Sequence, residues 1–417
     1  MLERFKSRNY AALFGFLLFI GMMASGYYYN LTFVQLGLED FGMSKLGFDG
    51  QAVARHMALL ALMTCLIAIA FGWWMQRRKW GRNFHLKLRL SFGVVLTQTV
   101  LTLVCAWITT EAAFLLWLVG VSLALGVGVP VMFSMTVDLI PVRYRGGAAA
   151  LVTAFAYFFA AAFSSEWTFE SFRRQSLIML SGGVIGMGVL AFVRHPWLEA
   201  LASQHQQPGF ALGRFTRMKL PYWHIPSLIL VMFGIYFVDS LGFLRLLKTP
   251  IYMTSAWQSS DFNTRAFIAV IHVIGALVAG VLYPALRERS LFLWIFGTFA
   301  LTHLQYNFHI QTGSVNAVLS MPMLYALAVS LYTVISFAVW ADISTPDTIS
   351  LNSALGVALS GWTATFLSTS LAIYWGERLP LELHLRIVNS LAMLFFLAML
   401  ALAFFEPVRA PKRTAIP

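Results

Sequence analysis

Residues 112–139 read AAFLLWLVGVSLALGVGVPVMFSMTVDL, with no charged side chain before Asp138. A helix rises ~1.5 Å per residue and the hydrocarbon core of a bilayer is ~30 Å thick, so this run is long enough to cross it. Only a helix or a closed barrel satisfies every backbone polar group there. A barrel strand alternates apolar and polar residues over ~10 positions, and this run does not. It reads as a membrane-spanning helix.

Eleven further segments have the same character: 10–36, 54–76, 88–109, 146–164, 175–193, 225–246, 266–286, 290–307, 316–341, 352–375 and 387–405. The expected fold class is therefore an all-α membrane protein with twelve transmembrane helices. The bulk numbers agree. Of 417 residues, 59% are hydrophobic and 11% charged, with mean hydropathy +0.74, against ~25% charged in a soluble domain. The first run, from about Ala11, lacks a small-residue cleavage site and reads as a helix, not a signal peptide. Cys65 and Cys105 fall inside apolar segments, where cysteine packs. No metal site and no cofactor are expected.

The net charge is +12. In a soluble protein this would suggest nucleic acid. Here the basic residues mark cytoplasmic loops, and no nucleic-acid partner is expected. With both termini inside, the inside segments hold 20 of the 29 Lys and Arg. They include Arg4, Lys6 and Arg8 at the start, the 77–89 stretch, Arg143 and Arg145, Arg194, Arg214, Arg217 and Lys219, Arg287 and Arg289, and Arg409, Lys412 and Arg413. Only the connection between helices 10 and 11 carries none. The expected location is a bacterial inner membrane, with N- and C-termini cytoplasmic. The longest inside connection holds Pro196, Pro208, Gly209 and Pro221, which are linker residues. This divides the chain into an N-terminal six-helix bundle (1–193), a linker (194–224) containing a short interfacial helix near Leu198–Ser203, and a C-terminal six-helix bundle (225–417).

The halves echo one another. Val137-Asp138-Leu139-Ile140-Pro141 closes helix 4, and Ala341-Asp342-Ile343-Ser344-Thr345-Pro346 closes helix 10. Gly72 and Gly280 occupy matching places near the ends of helices 2 and 8. Glycines at 126 and 128, Pro130, then Asp138, Pro141, Arg143, Arg145 and Gly146, with Gly72 through Arg82, resemble the 4–5 and 2–3 regions of the major facilitator superfamily. Gln76 stands where the 2–3 signature has an acid, and Gly81-Arg82 comes two residues late. Ser122 replaces the helix-4 Arg of many proton-driven exporters, and Gly146–Phe163 has no Gly-Pro. The resemblance stops at the superfamily. It implies a secondary active transporter working by alternating access, with its site near the midplane between the halves. It also implies that ion pairs latch the halves on the cytoplasmic side. The gate candidates are Asp138, Arg143, Arg145, Arg77, Arg82 and Asp342. An Asp at a helix C-terminus is disfavoured by the dipole, so Asp138 wants a cation from the 2–3 cluster or from Arg143 and Arg145.

Charge inside a span is costly and usually functional. No mid-span holds Lys or Arg, which favours a neutral or cationic organic solute over an organophosphate. The clear mid-span acid is Asp239, and the clear mid-span histidine is His272. Asp239 stands ~20 Å above the inner end of helix 7, and His272 ~9 Å below the outer end of helix 8. In a ~30 Å slab the two are level. If they face each other they can share a proton, so proton coupling through Asp239 is expected. Tyr27-Tyr28-Tyr29-Asn30 in helix 1 matches the Asp239 region by repeat position, with Asn30 expected a little over a turn inside the outer face. Tyr27, Asn30, Tyr157, Tyr325, Tyr332 and Trp362 complete the candidates for substrate contact. There is no His-Glu-x-x-His, no Gly-x-Ser-x-Gly and no phosphate loop, so no enzyme is expected. The expected partners are a small-molecule substrate, the lipid bilayer and protons, on a monomer. The rival reading is a non-transporting assembly factor or sensor with the same fold.

Overall fold

Side chains that pair backbone groups set where the helices begin. Asp49 accepts from Ala52 N at 2.6 Å, Asn83 from Leu86 N at 3.0 Å, Thr110 from Ala113 N and Thr168 from Ser171 N, each capping a long helix. In the computed structural model, which describes residues 10–163, 166–216, 224–253, 257–285, 288–313, 318–376 and 378–405, the apolar runs form α1 (Tyr10–Lys45), α2 (Gly50–Arg77), α3 (Phe84–Trp107), α4 (Glu111–Leu139), α5 (Val142–Phe163) and α6 (Phe169–Phe192). The second half supplies α7 (His224–Leu247), α8 (Phe262–Ala285), α9 (Glu288–Gln311), α10 (Ser320–Asp342), α11 (Ile349–Gly376) and α12 (Leu381–Phe405). No strand occurs among the described residues. The basic residues Arg4, Lys6, Arg8, Arg217, Lys219, Arg287, Arg409, Lys412 and Arg413 lie outside the described residues.

Eleven of these helices are long and apolar enough to cross a membrane. The other, α9, has the length, but Thr302, His303, Gln305, Asn307 and His309 dilute its apolar character. Several helices start earlier than hydropathy suggests. The first turns of α6 and α12 carry charges that pair within the helix, Glu170 with Arg173 and Glu382 with Arg386, and a hydropathy reading cuts such turns away. The largest correction concerns α1, which continues past residue 36 to Lys45. Its acids are satisfied there: Asp40 accepts from Phe169 N at 2.7 Å, and Glu39 pairs with Lys248. From Asn30 to Leu36 the helix widens to π turns, with Gly37 N–H reaching Thr32 O. Asn30 therefore lies near the middle of α1, not just inside its outer end.

The two six-helix bundles meet along α1, α2, α4 and α5 on one side and α7, α8, α10 and α11 on the other. Lipid gives helices no hydrophobic reason to associate, so close packing of small residues does the work. A Cβ on Gly280 would lie 2.6 Å from Ala150 Cβ, and one on Gly146 would lie 3.2 Å from Gly280 O. On the face that carries the linker, a Cβ on Gly81 would fall 2.1 Å from Pro346 O. That glycine lets the 2–3 connection touch the 10–11 connection. Large apolar side chains such as Leu116, Ile178, Val281 and Phe308 are exposed on the outer surface, as a lipid-facing belt requires.

The linker is laced under both bundles. It contains a short helix, Pro196–Ala202, whose Leu198 and Leu201 are buried. Phe215 N donates to Asp342 O at 2.8 Å, and Arg214 donates to Tyr283 O and Pro284 O at 2.7 and 2.8 Å.

Candidate functional site

The Asn30–Leu36 turns of α1 and a π stretch in α11 (Ala354–Thr363) flank a cavity between the bundles. Such turns often mark functional positions. The N-terminal half contributes Tyr27, Asn30, Gln35 and Tyr157 to the wall. The C-terminal half contributes Tyr236, Asp239, Trp257, His272, Tyr325, Tyr332 and Trp362. Free space at the centre is about 30 Å³, room for a water or two. No Lys or Arg lines it, and Asp239 is its one carboxylate.

Asp239 is buried and held by α10. Tyr325 donates to Oδ1, and Tyr332 donates to Oδ2 at 2.5 Å. His272 also turns to α10, but to a different residue. Trp257 Nε1–H donates to His272 Nε2 at 3.1 Å, and Nδ1 meets Ser330 Oγ at 2.9 Å. An indole N–H only donates, so Nε2 is the acceptor and Nδ1–H the donor. The expected contact between Asp239 and His272 is therefore not made, although both line one cavity at one level. α10 offers each of them its own hydroxyls. Arg245 does not pair with Asp239 either. It donates to Gly376 O and Leu379 O, at the end of α11 remote from the linker.

The bundles also meet through hydroxyls. Tyr27 OH and Tyr157 OH are 2.6 Å apart, and Tyr157 OH reaches Thr333 Oγ1 of α10 at 3.1 Å. Tyr157 stacks on His272 with ring centroids 4.6 Å apart. Asn30 is buried on the wall and its Oδ1 has no partner, which leaves an acceptor facing the cavity. Trp362 lines the same space. Tyr27, Asn30, Tyr157, Asp239, His272, Tyr325, Tyr332 and Trp362 thus come together. Sequence reasoning missed Trp257, Tyr236 and Gln35. Gln35 carried a signal, as an amide inside an apolar run.

Contacts join the bundles on both sides of the cavity. On the linker face Arg145 donates to Asp342 Oδ1 at 3.0 Å, to Ala341 O at 2.8 Å and to Phe210 O at 2.7 Å, while Tyr283 OH holds Asp342 Oδ2 at 2.9 Å. Arg82 pairs with Asp347 across the same seam. Asp138 is the correction. It does not join the halves, because buried Lys87 of α3 takes its Oδ2 and His205 of the linker lies 3.1 Å from its Oδ1. Arg77 and Arg143 lie over the rings of Trp73 and Tyr144 and pair with no acid among the described residues. On the opposite face, Glu39 pairs with Lys248, and Arg265 donates to Ala162 O at 3.3 Å.

No family model and no curated protein matches the sequence. Solved structures do. The human organic anion transporter MFSD10 (TETRAN) superposes with TM-score 0.66 at 13% identity, covering 94% of this chain and 99% of that one. The xylose transporter XylE from E. coli, partially occluded and inward open, gives 0.62 at 12% identity, covering 94% and 98%. A bacterial homologue of the iron transporter ferroportin, outward-facing, gives 0.60 at 14% identity, covering 93% and 98%. XylE is described as a major facilitator superfamily protein. Two six-helix bundles around a central cavity, matched over nearly the whole length of such chains, give this protein the major facilitator superfamily fold.

Proposed function

We propose that the protein is a secondary active transporter that moves a small neutral or cationic organic solute by alternating access, with protons coupled through Asp239. The carrying observation is the cavity itself: at mid-span, shared by both bundles, aromatic-walled, with one carboxylate and no Lys or Arg. A neutral solute finds hydroxyl and amide partners in Tyr27, Asn30, Gln35 and Tyr157. A cationic one finds Asp239 and ring faces. An organophosphate or dicarboxylate finds no cation to pay for its desolvation. The linker face is the cytoplasmic one on the Lys and Arg bias.

A ligand that binds only the folded state raises its apparent stability. A thermal-shift screen on purified protein should therefore show saturable upward shifts with polyols, sugars or organic amines, and none with organophosphates. At a free concentration 100 times Kd the gain is about 2.7 kcal/mol, well within detection. Saturable stabilisation by an organophosphate, retained when Lys248 and Arg245 are replaced, would contradict this substrate class.

A further inference from the structure

Phe243, Trp257, His272 and Tyr325 line the central cavity and also a second cavity of about 30 Å³. They form a partition one side chain thick. The second cavity lies toward the helix ends remote from the linker. Its other walls include Leu247 in the last turn of α7, Ile268 in the second turn of α8 and Pro322 in the first turn of α10. No Asp, Glu, Lys or Arg lines it. Two of its tyrosine hydroxyls are engaged: Tyr325 donates to Asp239, and Tyr252 OH meets His309 Nδ1 at 3.3 Å. An apolar chamber thus adjoins the polar site.

Of the four partition residues, Trp257 alone is not on a spanning helix. It belongs to the connection between α7 and α8, and it is buried. Rings from both bundles hold the indole. The C-terminal bundle supplies Phe243 of α7 and His272 of α8, each with ring centroids 5.3 Å away. The N-terminal bundle supplies Tyr157 of α5 at 5.8 Å and Trp167 of the 5–6 connection at 6.1 Å. A buried indole N–H needs an acceptor. His272 Nε2 provides it, and His272 Nδ1–H is spent on Ser330 Oγ of α10. Both ring nitrogens are therefore committed while Trp257 is in place, and neither is left for a solute. A glycine lets α8 and α10 approach closely enough for this: a Cβ on Gly275, about one turn after His272, would lie 3.1 Å from Ser330 Cβ.

A phenylalanine at 257 would fill space with no polar group to satisfy. An indole bonded to an imidazole that is itself fixed on a second helix is held in one orientation. We propose that Trp257 marks the end of the solute site: held by His272, it shuts the apolar chamber off from the central cavity and so limits the solute to a compact molecule without an extended apolar tail. His272 is a positioning residue in this scheme, acting through the indole and not on the solute. A small side chain at 257 would join the two spaces. A solute could then place an apolar group beside Leu247 and Ile268, where transfer from water favours it. This inference rests on the transport reading given above, because the central cavity must open to a face for a solute to enter it.

The test uses the full chain with Cys65 and Cys105 replaced by Ala, in sealed vesicles with the linker face outward. The probe is 2-(trimethylammonium)ethyl methanethiosulfonate, which does not cross a bilayer. From that face it reaches the chamber only by way of the central cavity. Asn30→Cys reports on the central cavity, and Ala326→Cys, on the wall of the chamber alone, reports beyond the partition. With Trp257 in place Asn30→Cys should react, and Ala326→Cys should react at least about tenfold more slowly, through local opening only. Trp257→Ala, or Trp257→Leu where alanine costs the fold, should bring Ala326→Cys to the rate of Asn30→Cys. His272→Phe should lose part of the protection, while His272→Gln, whose amide oxygen can accept from the indole, should keep it. Equal protection in those two variants overturns the role of His272. Ala326→Cys reacting as fast as Asn30→Cys with Trp257 present, or staying unreactive once Trp257 is replaced, overturns the partition and leaves the transport reading standing. An Asn30→Cys thiol that never reacts in the folded protein removes both.

Discussion

Asp239→Asn is expected to abolish solute accumulation driven by a pH gradient while leaving solute exchange intact. The asparagine keeps the size of the side chain, with an oxygen to accept from one of the Tyr325 and Tyr332 hydroxyls and an amide N–H to donate to the other, so the wall of the cavity survives. What disappears is the one carboxylate on that wall. Taking a carboxylate out of water favours its neutral form, and alternating exposure to the two faces then loads and unloads it. One coupled proton supports about tenfold accumulation per pH unit. The variant should fall to equal concentrations inside and outside, with counterflow of labelled solute near the wild-type rate. Gradient-driven accumulation undiminished in Asp239→Asn would place coupling elsewhere.

Replacing Arg145 alone should be the most damaging change on the linker face. Its guanidinium joins α5 to Asp342 of α10 and to the linker carbonyl of Phe210, all buried. Arg145→Ala leaves Asp342 buried with Tyr283 as its one remaining side-chain partner among the described residues. Breaking a buried pair from one side costs about 3–5 kcal/mol, because an uncompensated charge stays behind. Removing both charges, as in Arg145→Met with Asp342→Asn, should recover most of that loss. Thermal unfolding of the two single variants and the double variant checks this. A double variant as unstable as the sum of the singles would mean that the pair is not coupled and that the linker-face closure rests on packing alone. The repeat makes Asp138 the counterpart of Asp342, yet Lys87 confines Asp138 to the N-terminal bundle. Of these two acids only Asp342 pairs across the halves.

The spans were legible because a bilayer imposes a length and an apolar composition that the chain must satisfy at every crossing. Their ends were less so. Glu170 and Glu382 look like loop residues until their intrahelical arginines are seen, and Gly37 to Asp40 look like a stop until Phe169 and Lys248 supply partners. The level shared by Asp239 and His272 followed from helical rise. Which way each pointed did not, since neighbouring residues diverge by ~100° around a helix and the rotation of α7 against α10 is a packing outcome. Asp347 was within reach. It lies in the one linker-face connection without a basic residue, opposite loops rich in arginine, and charge balance alone would have paired it with one of them. Trp257 had no such signal, because a connection outside the spans gives no hint that it folds back onto the cavity.

Alternating access is the central claim, and it can be measured without knowing the solute. Cys65 and Cys105 are both buried and free, so a background with both replaced by Ala can carry a single reporter. Asn30→Cys puts a thiol on the wall of the cavity between the bundles. In sealed vesicles of each orientation, a membrane-impermeant maleimide should modify that thiol from either face. A disulfide or crosslink that locks the Glu39–Lys248 side should leave reaction from the linker face alone. Reaction from only one face in the unlocked protein, or from neither while the protein remains folded, would contradict the account and leave a non-transporting protein with a carrier's fold.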